Sequence, residues 1–343
     1  MAERILIFRP DHIGDVLLTT PAIHALRASF PDAVITIIVG SWAAEILKGN
    51  PSVDEIIIWD LPWLQRDGEP SWKSWWKTLR EIRRNYYFDQ IINFRLAAKS
   101  AASFMMLPGK RKWGFDCPKC AWAHTNKVPF SQNKHMCDNY LTIVEYMGVK
   151  PVHLGLEIFF SPEEKKSVQK RFEFLSDYVV LSPGAGYSMK HWKEDRWAAI
   201  ADWLQDYYHW QIVWTGGRSE ESLVESIQLK MSGKSLNLTG KLTVKDLAVV
   251  MEQAVFVITV DSASMHIADA VRTPVIALFG PTNPVQWGPY PNDMPNIVIS
   301  KNNEQNYVKK GLKRGQELMQ RITLTDVQES VEMLVGELKL TYK

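Results

Sequence analysis

Short apolar runs alternate along this chain with longer stretches whose apolar positions recur at helical spacing. In the first half, Ile5–Phe8, Val34–Val39, Glu55–Trp59 and Gln90–Phe94 read as strands, with a helix over Pro21 to Phe30. In the second half, Tyr178–Ser182, Gln211–Thr215, Ser235–Leu238, Val255–Val260 and Val275–Phe279 read as strands. Helices are expected there over Asp195–Tyr207, Glu220–Met231 and Val244–Gln253, and a last amphipathic one over Leu324–Leu338. Alternation of this kind marks α/β units around parallel sheets. Pro151, Gly155 and Pro162 punctuate the middle, and Ser161-Pro162-Glu163-Glu164 looks like a helix start, so a boundary is expected between Lys150 and Glu163. The expected organisation is a first Rossmann-like domain over 1–158, a second over 159–323, and a C-terminal helix over 324–343 that packs back on the first domain.

The strongest local signal is the stretch from 258 to 284. An apolar strand ends at Asp261-Ser262, and a helical pattern follows at once with Met265, Ile267, Ala268 and Val271 on one face. A second apolar run then closes on Gly280-Pro281. Small and hydroxylated residues therefore occupy a strand-to-helix turn, where unpaired N–H groups and a partial positive charge suit a phosphate. A carboxylate occupies the comparable turn after the first strand: Gly14-Asp15 precedes a helix, with Asp11 nearby. It lacks the G-x-G-x-x-G spacing of a dinucleotide turn. On spacing alone, Asp15 also reads as a cap of the helix beginning at Val16.

Several of these segments resemble glycosyltransferase family 9, the bacterial heptosyltransferases. V-D-S-A-S-M-H-I-A-D-A followed by F-G-P-T-N-P is similar to the family's donor-site pattern, D-[ST]-G-x-x-H-x-A-A-A and then a loop of the type Y-G-P-T. Ala263 stands where the family usually has Gly, and Asp269 where Ala is common. Gly14-Asp15 matches the family's G-D, which makes Asp15 the expected catalytic base. L-S-P-G-A-G-Y-S-M-K-H-W resembles the second donor block, so Gly184, Ala185 and Gly186 form a loop by the donor and Lys190 neutralises its phosphates. In W-T-G-G-R-S-E-E, Glu220 takes the place of the acid on the donor's ribose, although a first-turn helical acid is also an ordinary structural choice. Leu242 matches an apolar position lining the base. Asp261, Ser262, Ala263, Ser264 and His266 complete the donor set. R-L-A-A-K-S-A-A resembles the acceptor segment, with Arg95, Lys99 and Ser100 meeting an anionic sugar.

The resemblance implies an α/β fold of GT-B type, two Rossmann-like domains facing each other across a cleft. It implies an inverting transfer of heptose from ADP-heptose to a lipopolysaccharide inner-core acceptor, a lipid-linked oligosaccharide, without a metal cofactor. A protein O-heptosyltransferase and a GT-B-like sugar-nucleotide isomerase or hydrolase stay open as alternatives. A catalytically silent binding module fits the retained Asp15 poorly.

Composition narrows the setting. A formal charge of +2 gives no reason to expect nucleic acid. No apolar run approaches the ~18 residues of a membrane span. The N-terminus lacks a signal-peptide pattern, and three cysteines point to a reducing compartment. The cytoplasm is expected, at the cytoplasmic face of the inner membrane. Between Arg66 and Lys134, 14 Lys and Arg stand against 5 Asp and Glu, so a basic first domain hides behind the small total. Trp72, Trp75, Trp76, Leu79, Ile82 and Tyr86 fall within one helical pattern there. They read either as a core face or as an interfacial face resting on anionic membrane. Cys117 and Cys120 have metal-knuckle spacing, with His124, His135 and Cys137 downstream. Reduced, metal-free cysteines are the expected state.

Overall fold

The computed structural model describes residues 2–65, 71–151, 154–302 and 312–339, the side chains of 312 and 313 excepted. It divides into two compact units, Met1–Phe159 and Phe160–Lys343. Residues 340–343, the end of the expected C-terminal segment, lie outside the described residues.

The first unit is a six-stranded sheet in the order β3-β2-β1-β4-β5-β6. Its strands are β1 (Arg4–Phe8), β2 (Val34–Val39), β3 (Glu55–Ile58), β4 (Phe88–Asn93), β5 (Gly109–Phe115) and β6 (Asn126–Val128), every pair parallel. Ile5, Leu6, Ile7 and Phe8 are wholly buried, which is why β1 sits at the centre. Helices α1 (Ile13–Leu17), α2 (Thr20–Ser29), α3 (Ala44–Leu47), α4 (Trp72–Asn85), α5 (Ala98–Met105) and α6 (Met136–Tyr146) make the connections.

The second unit repeats the plan in the order β12-β11-β10-β7-β8-β9. Here α7 (Pro162–Arg171) leads into β7 (Tyr178–Ser182), α8 (Glu194–Tyr208), β8 (Gln211–Trp214), α9 (Glu221–Gln228) and β9 (Leu236–Asn237). After α10 (Val244–Glu252) come β10 (Val257–Val260), α11 (Ala263–Ala270), β11 (Val275–Phe279), α12 (Pro284–Trp287), β12 (Ile297–Ser300), α13 (Leu312–Gln320) and α14 (Leu324–Leu338). In both sheets the first and fourth strands of the unit are neighbours, so the chain winds outward one way, returns to the middle, and winds outward the other way. The two strands beside that return diverge in their connections and leave a crevice beyond their carboxyl ends, where open α/β sheets take ligands.

Three strands escape the hydrophobic pattern. β5 reads Gly-Lys-Arg-Lys-Trp-Gly-Phe, without an apolar run, and its register with β4 comes from tertiary pairing. A Cβ at Gly114 would collide with the His124 ring, which explains a glycine inside that strand. β6 has three residues and β12 lies among turn residues. The last helix, α14, spans Leu324–Leu338 as its periodicity indicates. Val327, Val331, Leu334 and Val335 join the second unit's core with Trp197, Leu204 and Leu278.

The tryptophan-rich helix splits its aromatics between two surfaces. In α4, Trp75, Leu79 and Ile82 are 6%, 1% and 1% exposed, whereas Trp72 and Trp76 are 56% and 47% exposed. Trp75 stacks on Trp59 with centroids 5.7 Å apart, and the Trp59 indole donates to the Trp75 carbonyl at 3.2 Å. Positions 72 and 76 form their own i, i+4 row, turned away from the row that enters the core. The expected single face therefore belongs to the core at Trp75 and to solvent at Trp72 and Trp76.

Candidate functional site

In the first unit, the loops after β1 and β4 meet through a buried charge network at the topological return. Arg9 directly follows β1, with its side chain 4% exposed. Its guanidinium donates to the Asp15 carboxylate at 2.9 Å, to the Asp15 carbonyl at 3.2 Å and to the Phe94 carbonyl at 2.8 Å. Burial alone would pull its pKa down, but the facing Tyr140, Asp11 and Asp15 outweigh burial and raise it. The Tyr140 ring lies 5.1 Å beneath the guanidinium. A rigid planar fork is the side chain suited to three simultaneous contacts of this kind. Asp15 remains 27% exposed at its side chain, so the carboxylate gripped by Arg9 still reaches solvent. Asp11 lies 2.7 Å from Arg95, whose Nε makes no hydrogen bond among the described residues. Burial first, and then the like charge of Arg9, lowers the Arg95 pKa. An incoming anion would relieve both.

Lys99 is exposed on the first turn of α5. Ser100 is wholly buried, with the Trp63 indole 3.4 Å from its hydroxyl, so it faces an aromatic neighbour and not solvent. The structure therefore brings Asp15 and Arg95 together, leaves Lys99 at the rim and turns Ser100 inward.

In the second unit, the loops after β7 and β10 hold the corresponding groups. Lys190 Nζ lies 2.6 Å from the Asp261 carboxylate and 3.3 Å from its carbonyl. Trp192, 2% exposed, donates to the Ile322 carbonyl at 2.8 Å and so anchors the loop carrying Lys190 into the core. The His191 ring sits 3.2 Å from the Ala185 carbonyl oxygen and braces the segment Gly184-Ala185-Gly186. Glu220 folds back over this loop, accepting from the Gly217 amide at 2.7 Å. A Cβ at Gly184 would fall on the Glu220 carboxyl group, and one at Gly216 would lie 2.5 Å from its oxygen. These glycines are spatial requirements of the carboxylate. Leu242 is half-buried just before α10.

Helix α11 starts at Ala263 behind Ser262, whose hydroxyl makes no capping hydrogen bond and lies 3.2 Å from the Thr259 hydroxyl. The first-turn amides of Ala263 and Ser264 are thus not capped by that side chain. Ala263 has no left-handed backbone angle, so the alanine costs no strain. His266, one turn in, is 4% exposed.

Cys120 and Cys137 are buried, His124 has Asn93 Nδ2 at 3.0 Å and the Phe115 carbonyl at 3.2 Å, and His135 caps α6. Among the described residues no group of three or more His, Cys, Asp or Glu is placed to hold a metal ion. No helix among them is long and apolar enough to cross a membrane.

Two doubly wound parallel sheets, each with charged side chains at its topological return, make an α/β fold of the GT-B type. Residues 75–316 match the family model described as glycosyltransferase family 9 (heptosyltransferase), and the chain belongs to that family of enzymes. It is 28% identical to lipopolysaccharide heptosyltransferase 3 of Escherichia coli K12, over 94% of this chain and 96% of that protein. A glycosyltransferase family 9 structure from Veillonella parvula superposes with a TM-score of 0.86 at 26% identity, covering 98% of each chain. The E. coli structure titled ADP-heptose LPS heptosyltransferase II gives 0.78 at 20% identity, over 98% of this chain and 100% of that one.

Asp269, the second departure from the family pattern on α11, has a structural task. Its carboxylate accepts from the Tyr290 amide at 2.8 Å and from the Asn292 side chain, fastening the helix to the loop after α12. Burial pushes its pKa up to about 7, against a smaller lowering by the Tyr290 hydrogen bond. The folded state thus holds a proton that the unfolded chain releases near pH 4, so stability falls as pH rises from about 4 to about 7. A tenfold difference in proton affinity is worth ~1.4 kcal/mol, so the loss amounts to at most about 4 kcal/mol. Asp269→Asn should flatten that segment of the curve. Urea midpoints of wild type and variant between pH 4 and 8 check it, and parallel curves would remove Asp269 as the cause.

Proposed function

We propose that this protein transfers heptose from ADP-heptose, with inversion, to a lipopolysaccharide inner-core acceptor. The observation that carries this reading is the placement of complementary charges at the topological return of each sheet. The first unit offers a carboxylate and the second offers a lysine with helix amides. The lipopolysaccharide and ADP-heptose named for relatives supply the acceptor class and donor.

In this mechanism Asp15 accepts the proton of the attacking acceptor hydroxyl. The hydroxyl oxygen forms a bond to the anomeric carbon as the bond to the diphosphate oxygen breaks. ADP leaves with the electron pair and needs positive charge instead of a proton. Lys190 and the first-turn amides of α11, at Ser262, Ala263 and Ser264, supply that charge, an electrostatic contribution that is usually large in catalysis. Asp261 holds Lys190 ready before the donor arrives. His266 donates to the diphosphate, Glu220 accepts from the ribose hydroxyls, Leu242 packs on the adenine, and Gly184, Ala185 and Gly186 let the donor approach the backbone. Arg95 and Lys99 meet the acceptor's anionic groups, and Ser100 contributes by holding Trp63. Arg9 fixes the direction of the Asp15 carboxylate. No metal takes part, and the lipid-linked acceptor brings the enzyme to the cytoplasmic face of the inner membrane.

With ADP-heptose and a core acceptor, Asp15→Asn should keep the fold and donor binding while losing transfer by at least ~10². Arg9→Lys, which retains the charge but not the fork, should lower kcat by roughly tenfold with KM unchanged, since orientation is what it loses. Both proteins and the wild type are assayed in EDTA. Undiminished turnover by Asp15→Asn would remove the base, and a loss in EDTA restored by Mg²⁺ would reassign the leaving-group charge.

The division between donor and acceptor groups has its own test. Lys190→Ala should weaken ADP binding and also slow the chemical step, because leaving-group charge grows toward the transition state. Lys99→Ala should raise the acceptor KM and leave ADP affinity alone. Titration of each variant with ADP separates the two, and equal losses would refute the assignment.

A further inference from the structure

We propose that the outward face of α4 docks this protein on an anionic lipid bilayer, a role that gains its use from the lipid-linked acceptor proposed above. Lys73, Lys77, Arg80 and Arg84 follow one another at i, i+4, i+7 and i+11, and all four are exposed. They form a stripe opposite the buried Trp75, Leu79 and Ile82. Trp72 and Trp76 run along its edge, more exposed than the core requires. The acid within this face is Glu81, 3.9 Å from Lys77.

The surface extends beyond one helix. Residues of α4, of α5 and of the short turn Ala121–Ala123 share one apolar cluster with Leu6, Phe8 and Ile91, so all three cover the same face of the first sheet. Outside that layer Met105 and Trp122 are 50% and 52% exposed, beside exposed Lys119.

The chemistry fits a bilayer better than a protein partner. Protein interface centres are depleted in lysine and enriched in buried aromatics. Here the basic residues form the centre and the indoles the margin. At a bilayer, indoles settle at headgroup depth while long basic stems reach the lipid phosphates. The attraction is Coulombic and falls within a Debye length.

The full chain is tested against vesicles of phosphatidylcholine alone and of phosphatidylcholine with phosphatidylglycerol. It should bind the second and not the first, with binding that weakens as salt rises. Lys77→Glu/Arg80→Glu/Arg84→Glu should lower partitioning by about 10²-fold or more, and Trp76→Ser should also weaken it. Both variants should keep the wild-type urea midpoint and the full rate on a water-soluble, deacylated acceptor. Both should lose rate when the acceptor is embedded in vesicles. Wild-type indifference to phosphatidylglycerol, variants that partition like wild type, or binding to a duplex oligonucleotide without binding to vesicles would overturn the proposal. A wild-type protein that binds vesicles yet transfers nothing to the soluble acceptor would sink the enzymatic reading and leave the docking face standing.

Discussion

The contact on which the first unit turns is the grip of Arg9 on Asp15. A guanidinium 4% exposed must find partners, because an unpaired charge out of water is costly. It finds them on two strands at once: the Asp15 carboxylate and carbonyl beyond β1, and the Phe94 carbonyl beyond β4. One side chain therefore closes the return point of the sheet and aims the carboxylate standing there. Asp11 extends the network to Arg95, so stability and site geometry share the same few atoms.

The second unit solves a different problem with the same topology. Its loops close on one another tightly, and the small residues there make room. Gly184 and Gly216 leave space for Glu220, and Trp192 ties the Lys190 loop into the core. The arrangement fixes side chains that a loop of glycines alone would leave loose.

Much of this is legible in the sequence for a physical reason. Strands buried on both faces appear as continuous apolar runs, which is why β1, β2, β7 and β11 stand out. Open α/β sheets take ligands beyond the carboxyl ends of their strands, so charged residues just past those ends, Asp15, Lys190 and Asp261 among them, can be singled out as candidates. β5 is hidden because basic residues and glycines fill it, and Arg9 because an arginine just past a buried strand has no local signature. The roles of His191 and Gly216 come from contacts with Ala185 and Glu220 that no spacing rule encodes. On α4, periodicity identifies the helix, but dividing its tryptophans between core and solvent requires the neighbouring Trp59.

Each sheet is assembled from one uninterrupted stretch of chain, all six strands of the first from residues before 159 and all six of the second from residues after it. During synthesis, domains generally fold as units from the N-terminal side. The first sheet can therefore complete its ladder, and seal its guanidinium network, before β7 has left the ribosome. No strand of it waits for residues still to be translated, so its central strands β1 and β4 are paired on both sides while the second unit is still being made.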